Sequence, residues 1–325
     1  MPSSDELQGD APTKHEEIAH TSRPRLLVIV GPTGVGKSAL ALYLAQRFHG
    51  AIVSADSRQI YRGMDIGTAK PTWEERRLVP HYLIDVVSPD EPFGLAQYQR
   101  LALEAIAAVW EAGLLPMLVG GTGQYVRAVV EGWRIPEVPP QPALRAELAQ
   151  RAEKEGYEAL HRELTRVDLE AARRIDPHNI RRVIRALEVY YVTGKPISAL
   201  QQKSPLGANI LQLGLYLPRA KLYERIDARV DAMMAAGLLS EVRRLREAGY
   251  RDDLPSMSGL GYRQLCAYLR GEISLEEAVA RIKRDTRRFV HQQFVWFRED
   301  DPAIQWVQAD ERAYAEAIVA EWLSR

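Results

Sequence analysis

Apolar runs and amphipathic stretches alternate along much of the chain. Arg25 to Val30 (RLLVIV) form a short apolar run that stops at a glycine-rich turn, and apolar positions in the following SALALYLAQRF repeat with helical spacing. This order predicts a strand, a loop and a helix. Similar runs predict further strands at Ala51 to Val53, Tyr82 to Val87, Leu114 to Val119 and Leu211 to Leu217. Because helical patterns lie between several of these runs, we predict an α/β fold with a parallel sheet flanked by helices.

The alternation breaks at a group of four prolines, after which helical patterns continue to about Thr193 with no convincing strand. Apolar residues from Ile180 to Tyr191 would share one helix face, and Gly194 followed by a proline two residues later is a good stop signal. We therefore predict a helical insertion domain within a discontinuous core whose C-terminal part is mostly helical. The predicted boundaries are 25–132 and 205–325 for the core and 133–204 for the insertion.

The N-terminal segment is polar and has no apolar block, so residues 1–24 are predicted to be a disordered tail rather than a secretory signal. No later apolar run reaches the length of about 18 residues that a membrane-spanning helix needs, and the expected location is the cytoplasm. The single cysteine, Cys266, excludes an internal disulfide and a zinc site built from several cysteines.

Charge and composition exclude few classes of function. The chain has 325 residues and is 46% hydrophobic, which is enough for a buried core. Its 43 basic and 43 acidic side chains give a formal net charge of +0. Any binding to nucleic acid must therefore depend on local basic patches rather than on overall attraction.

The turn after the first strand, GPTGVGKS, fits the P-loop pattern G-x-x-x-x-G-K-[ST] and has the required strand before it and helix after it. In such a loop the backbone amides and the helix N-terminus bind phosphate oxygens, the lysine adds a positive charge and the serine can bind Mg²⁺. We expect a P-loop NTPase-like sheet with a diphosphate site and Ser38 as the metal ligand. The predicted diphosphate-binding residues are Gly31, Thr33, Gly34, Val35, Gly36, Lys37 and Ser38.

Two further polar clusters follow predicted strands, Ser54 to Ser57 after AIV and Gly120 to Gly123 after LLPMLV. Ligands of parallel α/β sheets bind at the carboxyl ends of the strands, the edge that also carries the P loop. The three segments are therefore expected to converge. Asp56 could then act as a base or orient a nucleophile, and Thr122 could donate to a phosphate oxygen. From the residues alone, a helix cap at Asp56 and a tight turn at Gly120 to Gly123 are equally good explanations.

Several longer segments resemble one family at successive positions along the chain. These segments are SADSRQIYRGMDIGTAKPT (Ser54 to Thr72), PHYLIDVV (Pro80 to Val87), LVGGTGQYVRAVVEG (Leu118 to Gly132), RRVIRALEVYYVTGKP (Arg181 to Pro196) and SGLGYRQL (Ser258 to Leu265). They are similar to signatures of the tRNA dimethylallyltransferases, also called tRNA isopentenyltransferases. The similarity runs in order from about Arg25 to Arg298. With one cysteine, the chain resembles the bacterial type, which lacks the zinc finger of eukaryotic members.

The resemblance implies transfer of a dimethylallyl group from dimethylallyl diphosphate to N6 of adenosine 37, beside the anticodon, in tRNAs that read codons beginning with U. It also implies that Asp56 is the catalytic aspartate, which accepts a proton from the adenine amine or orients it. Thr122 would contact the bridging oxygen of the donor, and Arg229, in LYERIDARV, would contact its diphosphate. Lys37 and Ser38 match the groups that bind the diphosphate and the cofactor Mg²⁺. The family suggests a monomer.

The resemblance further implies where the anticodon stem-loop of the tRNA binds. The matching residues are Asp56, Ser57, Arg58, Gln59, Arg181, Arg182, Arg185, Ser258, Gly261, Tyr262, Arg263, His291, Gln292 and Arg298. Family members often carry a basic pair where this chain has His291 and Gln292, so phosphate contacts there are less secure. Basic residues between Arg281 and Arg288 would present a positive helix surface to phosphates.

Two other functions remain open at this point. A P-loop kinase or NTPase acting on a small molecule would hold the β and γ phosphates of ATP in the same loop, and Asp85 could be mistaken for its magnesium-binding aspartate. The other hypothesis is a tRNA-binding protein without turnover. It is disfavoured because Lys37, Asp56, Thr122 and Arg229 are all present.

Overall fold

The computed structural model describes residues 23–325, so the predicted tail, 1–24, lies outside the described residues except for Arg23 and Pro24. The strands in the described range are β1 Arg25–Val30, β2 Gly50–Ser54, β3 His81–Tyr82, β4 Leu115–Val119, β5 Asn209–Tyr216 and β6 Ile304–Gln308. They form one sheet in the order β3-β2-β4-β1-β5-β6, and each neighbouring pair is parallel. The predicted parallel sheet is confirmed, with β1 at its centre between β4 and β5.

Helices account for most of the remaining described chain. They are α1 Lys37–Arg47, α2 Trp73–Leu78, α3 Leu95–Glu111, α4 Gly123–Val130, α5 Pro142–Glu155, α6 Tyr157–Val167, α7 Leu169–Arg174, α8 Ile180–Thr193, α9 Ile197–Leu200, α10 Arg219–Ala235, α11 Leu238–Glu247, α12 Tyr262–Leu269, α13 Leu275–Phe294 and α14 Arg312–Ser324. None of these helices is long and apolar enough to cross a membrane.

The sheet is buried on both faces. Leu27 and Ile29 of β1 pack in one apolar cluster with α1, α10 and α14, whereas Leu26 and Val28 pack in a second cluster with α3 and α4. Side chains alternate between the faces of a strand, so a strand covered on both sides becomes a continuous apolar run. This is why RLLVIV shows no polar alternation, and why only the ends of the strands are left to carry polar groups.

Helices α5 to α9 build an apolar core of their own, and every buried member of that core lies between Val138 and Ile197. The two chain segments that join them to the sheet run side by side, because the Ser204 amide donates to the Gly132 carbonyl at 2.8 Å and the Arg134 amide to the Gln202 carbonyl at 2.7 Å. The predicted insertion boundaries, 133 and 204, lie in this paired stalk.

The prediction of a strand from Tyr82 to Val87 is wrong beyond Tyr82. Leu83 and Asp85 adopt φ angles of 62° and 58°, in a region that strands do not use. The Asp85 carboxylate receives hydrogen bonds from Lys70 at 2.5 Å and Arg76 at 2.9 Å. The partners lie 15 and 9 residues earlier in the chain, and they hold the Asp85 side chain in this turn.

Strand β6 was missed, because the chain after Arg219 is predicted only to be mostly helical. Its sequence IQWVQ has five residues, of which only Ile304 and Val307 are buried. The strand forms because Tyr216 and its neighbours in β5 offer a free edge for pairing. That partner is almost a hundred residues away along the chain, and no local pattern reveals it.

Candidate active site

The P loop connects β1 to α1 with a backbone that only glycine accommodates easily. Gly31, Gly34 and Gly36 have φ angles of 141°, 81° and 113°. A Cβ added to Gly31 would lie 2.6 Å from the Leu215 carbonyl oxygen, so β5 also excludes a side chain there. Gly36 caps α1 without a side chain, which leaves the first amides of that helix free to bind an anion.

Lys37, the first residue of α1, reaches back over this loop. Its Nζ donates to the carbonyl oxygens of Gly31 and Pro32, both at 2.9 Å. Burial lowers the pKa of the Lys37 ammonium to about 8; the nearby Asp56 carboxylate opposes this effect and the Arg229 guanidinium adds to it. A desolvated cation with so little neutralisation favours the binding of an anion.

The loops after β2 and β4 are hydrogen-bonded to each other beside the P loop. The Thr122 amide donates to the Ala55 carbonyl at 3.2 Å, and the Ser57 amide donates to Thr122 Oγ1 at 3.0 Å. The Thr122 hydroxyl therefore already accepts one bond and keeps its own hydrogen for another partner. Asp56 Oδ1 accepts from the Arg58 amide at 2.8 Å, which fixes the carboxylate and leaves Oδ2 for a ligand.

Arg229 approaches the same place from α10. Burial lowers the pKa of its guanidinium, and the Asp56 carboxylate partly offsets that effect. Within residues 23–325, no carboxylate lies within salt-bridge distance of Arg229. Two half-buried cations, Lys37 and Arg229, thus share the influence of Asp56.

These groups line one cavity of about 420 Å³. Its lining contains Thr33, Lys37, Asp56, Thr122 and Arg229, so the convergence predicted from the three sequence segments is observed. The same cavity has apolar walls contributed by Ile226, Val230, Met233, Leu238, Ile282 and Phe289. It can therefore take a ligand that combines an anionic group with an apolar part.

Comparison with known proteins agrees with this arrangement. Residues 59–300 match the family model described as IPP transferase, and residues 24–86 match a model described as isopentenyl transferase. A tRNA dimethylallyltransferase of Roseiflexus sp. (strain RS-1) is 55% identical over 301 residues, which cover 92% of this chain and 98% of the relative. The chain belongs to the tRNA dimethylallyltransferase family.

Solved structures of the family superpose on the fold. The tRNA isopentenylpyrophosphate transferase of Bacillus halodurans is 40% identical with a TM-score of 0.69, and the match covers 93% of this chain and 97% of that one. A eukaryotic dimethylallyltransferase, described as acting on tRNA, is 28% identical with a TM-score of 0.77, covering 93% and 80% of the two chains.

Eight of the fourteen residues that resemble tRNA-contacting positions of the family line the cavity. Those that do are Asp56, Ser57, Arg58, Ser258, Gly261, Tyr262, Arg263 and Gln292. Arg58 donates to the Pro255 carbonyl at 2.6 Å and so ties the loop after β2 to the loop before α12. Tyr262 is buried, and its hydroxyl donates to Glu241 at 2.6 Å, so this hydroxyl is engaged inside the protein.

The other family positions lie away from the cavity lining. Gln59 donates to the Ala69 carbonyl at 3.2 Å, and Arg298 pairs with Asp300 at the exposed surface. On α8 of the insertion, Arg181 and Arg182 are exposed. Arg185, on the same helix, pairs with the buried Glu188 at 2.6 Å. His291 Nε2 lies 2.9 Å from the Tyr223 hydroxyl.

Sequence reasoning missed two buried polar side chains that organise the site. Glu241 accepts from the amides of Asp65 at 2.9 Å and Ile66 at 2.8 Å as well as from Tyr262, and so joins two cavity-lining segments. Gln293 contacts both the P loop and the loop after β4. Each is one polar residue in an amphipathic helix, where it resembles a solvent-facing position, and only the long-range contact reveals it.

Asp85, the aspartate that a kinase hypothesis would use, is not part of this cavity lining. Its carboxylate pairs with Lys70 and Arg76, whose hydrogen bonds outweigh burial and lower the Asp85 pKa. The small-molecule kinase hypothesis is not favoured, because the relatives and solved structures are tRNA dimethylallyltransferases.

Proposed function

We propose that this chain transfers the dimethylallyl group of dimethylallyl diphosphate to N6 of adenosine 37 in tRNA. The observation that carries the proposal is the cavity that brings half-buried Lys37 and Arg229 together with Asp56 and Thr122 beside apolar walls. Such a cavity offers cations for a diphosphate, an apolar surface for five carbons and a carboxylate for an amine. A nucleoside triphosphate would need no apolar wall next to its terminal phosphates.

The leaving group sets the main catalytic requirement. An allylic carbon separates from diphosphate with carbocation character, so negative charge grows on the departing oxygens. Lys37, Arg229 and the free amides at the start of α1 would stabilise that charge, and fixed groups of this kind often contribute most of the rate enhancement. The Thr122 hydroxyl, held by the Ser57 amide, would donate to the bridging oxygen.

The acceptor needs orientation more than a strong base. The exocyclic amine of adenine is a weak nucleophile because its lone pair is delocalised into the ring. Asp56 has one oxygen anchored by the Arg58 amide, and the other would accept a hydrogen bond from the amine and then its proton. The adenine has to leave its stack to reach this carboxylate, which costs least in a single-stranded loop.

The P loop could also hold Mg²⁺ together with a bound diphosphate. Ser38 is exposed in the first turn of α1, and no group of three or more His, Cys, Asp or Glu side chains within residues 23–325 is placed to form a closed metal site. Mg²⁺ commonly keeps several waters and binds one or two protein oxygens together with substrate phosphates. Ser38 would therefore hold it, and the ion would neutralise charge on the leaving diphosphate.

The anticodon stem-loop would lie across the mouth of the cavity, on Arg58, Ser258, Arg263 and Gln292, with Arg181 and Arg182 of the insertion as further phosphate contacts. The tRNAs expected are those that read codons beginning with U. We further propose that the enzyme acts in the cytoplasm as a monomer.

One assay tests the proposal against a kinase. The protein is incubated with Mg²⁺, unmodified tRNA containing A36, A37 and A38, and either labelled dimethylallyl diphosphate or γ-labelled ATP. Label from the prenyl donor is expected in the RNA, and mass analysis is expected to find it on A37. Label moving from ATP to a small acceptor, with none entering RNA from the donor, would contradict the proposal.

A further inference from the structure

Gln293 lies near the end of α13 and is 4% exposed. Its side-chain Oε1 accepts from the Thr33 amide at 2.8 Å, and its Nε2 donates to the Gly121 carbonyl at 3.0 Å. The orientation of the amide follows from its partners, because an N–H can only donate and a carbonyl can only accept. One side chain therefore joins the P loop to the loop after β4.

Both partners lie next to groups that would bind the donor. Thr33 belongs to the P loop, and Gly121 precedes Thr122. A Cβ on Gly121 would overlap Gln293 Nε2 and would lie 3.5 Å from Lys37 Nζ, so Gly121 is the residue that admits this amide. The Gln293 contact thus fixes the separation of two loops that would hold opposite sides of one diphosphate.

The helix that carries Gln293 also faces the proposed RNA site. Arg288, Phe289 and Gln292 of α13 line the same cavity. Gln293 lines it too, but both polar atoms of its side chain are already engaged by the P loop and the Gly121 carbonyl. We propose that Gln293 is a positioning residue that holds the P loop and the Gly121–Thr122 loop in register for dimethylallyl diphosphate. This inference rests on the proposed function.

The test compares Gln293→Met with a matched control, Gln99→Met. Gln99 also bridges two backbone groups, because its Nε2 donates to the carbonyls of Ala128 and Trp133, and it does not line the cavity. Methionine keeps the length of either side chain and removes its hydrogen bonds. The measurements are the dissociation constants of dimethylallyl diphosphate and tRNA by calorimetry, kcat, and the thermal midpoint.

Loss of two hydrogen bonds to loop backbone is expected to weaken donor binding about tenfold in Gln293→Met. Its kcat should also fall, while tRNA affinity stays within about twofold of wild type, because the side chain is 4% exposed and both of its polar atoms bond the two loops. Gln99→Met should change neither affinity. Unchanged donor affinity in a folded Gln293→Met enzyme, or equal losses of donor and tRNA affinity, would overturn the inference.

A second variant keeps the test independent of folding effects. In Gln293→Glu the ionised carboxylate still accepts from Thr33 but repels the Gly121 carbonyl, whereas the protonated acid reproduces the donor and acceptor of glutamine. Donor affinity relative to wild type is therefore expected to recover as the pH falls from 8 to 6. A constant ratio would contradict the positioning role, and wild-type enzyme that binds donor but transfers nothing would instead contradict the proposed function.

Discussion

The catalytic cavity and the insertion both contain buried charge, but they neutralise it differently. In the cavity, Lys37 and Arg229 face one carboxylate, and burial lowers the pKa of both cations. In the insertion, the buried carboxylate of Glu188 receives hydrogen bonds from Arg145, Arg185 and the Gln141 amide. Burial alone would raise the Glu188 pKa, yet these bonds outweigh it and lower the pKa to about 2.

The difference separates a binding site from a structural core. In the insertion both arginines pair directly with Glu188, at 2.7 Å and 2.6 Å, and these ion pairs hold α5 and α8 together. Lys37 and Arg229 in the cavity lack such direct ion pairs, which lowers the stability of the folded protein until an anion binds. Buried charge of similar chemistry thus stabilises one region and provides binding energy in the other.

The largest expected effect comes from removing a cation from the cavity. Lys37→Met should lower kcat/KM for dimethylallyl diphosphate by about 10³-fold, because charge on the leaving group loses a preorganised partner. The thermal midpoint should not fall, since the lost ammonium is a desolvated charge. Steady-state kinetics and calorimetry on the same preparation measure both. A midpoint several degrees lower would show that Lys37 has a structural role like that of the insertion charges.

The corresponding change in the insertion should act on stability. Arg145→Met leaves Glu188 buried with one arginine fewer, and the free energy of unfolding is expected to fall by about 3 kcal/mol. Donor affinity should stay unchanged. The double variant Arg145→Met, Glu188→Met is expected to recover most of the loss, because the fully buried carboxylate is gone and the partly exposed Arg185 still donates to the Val138 carbonyl. Failure of the second substitution to restore stability in urea titrations would contradict this account.

The pH dependence of catalysis should follow Lys37. The lysine has to be protonated to bind diphosphate, and its pKa in the free enzyme is lowered to about 8. Therefore kcat/KM for the donor is expected to be constant below about pH 8 and to fall about tenfold per pH unit above it. The affinity for tRNA should not share this break. A profile that stays flat to pH 10 would rule out a Lys37 pKa near 8.

The smallest expected effect concerns the surface. Family members often carry a basic pair where this chain has His291 and Gln292, and the His291 ring lies within hydrogen-bonding distance of Tyr223 and Arg219. Adding one positive charge with His291→Arg should tighten tRNA binding about two- to threefold. The slope of log affinity against log salt concentration should become steeper by about one released counterion. Filter binding at several salt concentrations measures this. Unchanged affinity would place His291 outside the RNA footprint.

The two regions also differ in how well the sequence predicts them. The P loop and the loops at Asp56 and Thr122 are predictable because glycines and polar residues directly follow apolar strands. The roles of Gln293 and Glu241 and the strand β6 cannot be predicted in this way, because each depends on a partner far along the chain. The residues after Tyr82 form an apolar run that resembles a strand, yet Asp85 is held out of the sheet by Lys70 and Arg76.

The most direct test of the central claim is the number of protons taken up when the donor binds. Calorimetric titration of dimethylallyl diphosphate with Mg²⁺ at pH 8, repeated in buffers of different ionisation enthalpy, measures that number. Binding should raise the Lys37 pKa from about 8, so wild type is expected to take up about half a proton and Lys37→Met none. If wild type took up no protons, or if both proteins took up the same number, the claim that Lys37 is neutralised only when the diphosphate binds would be contradicted.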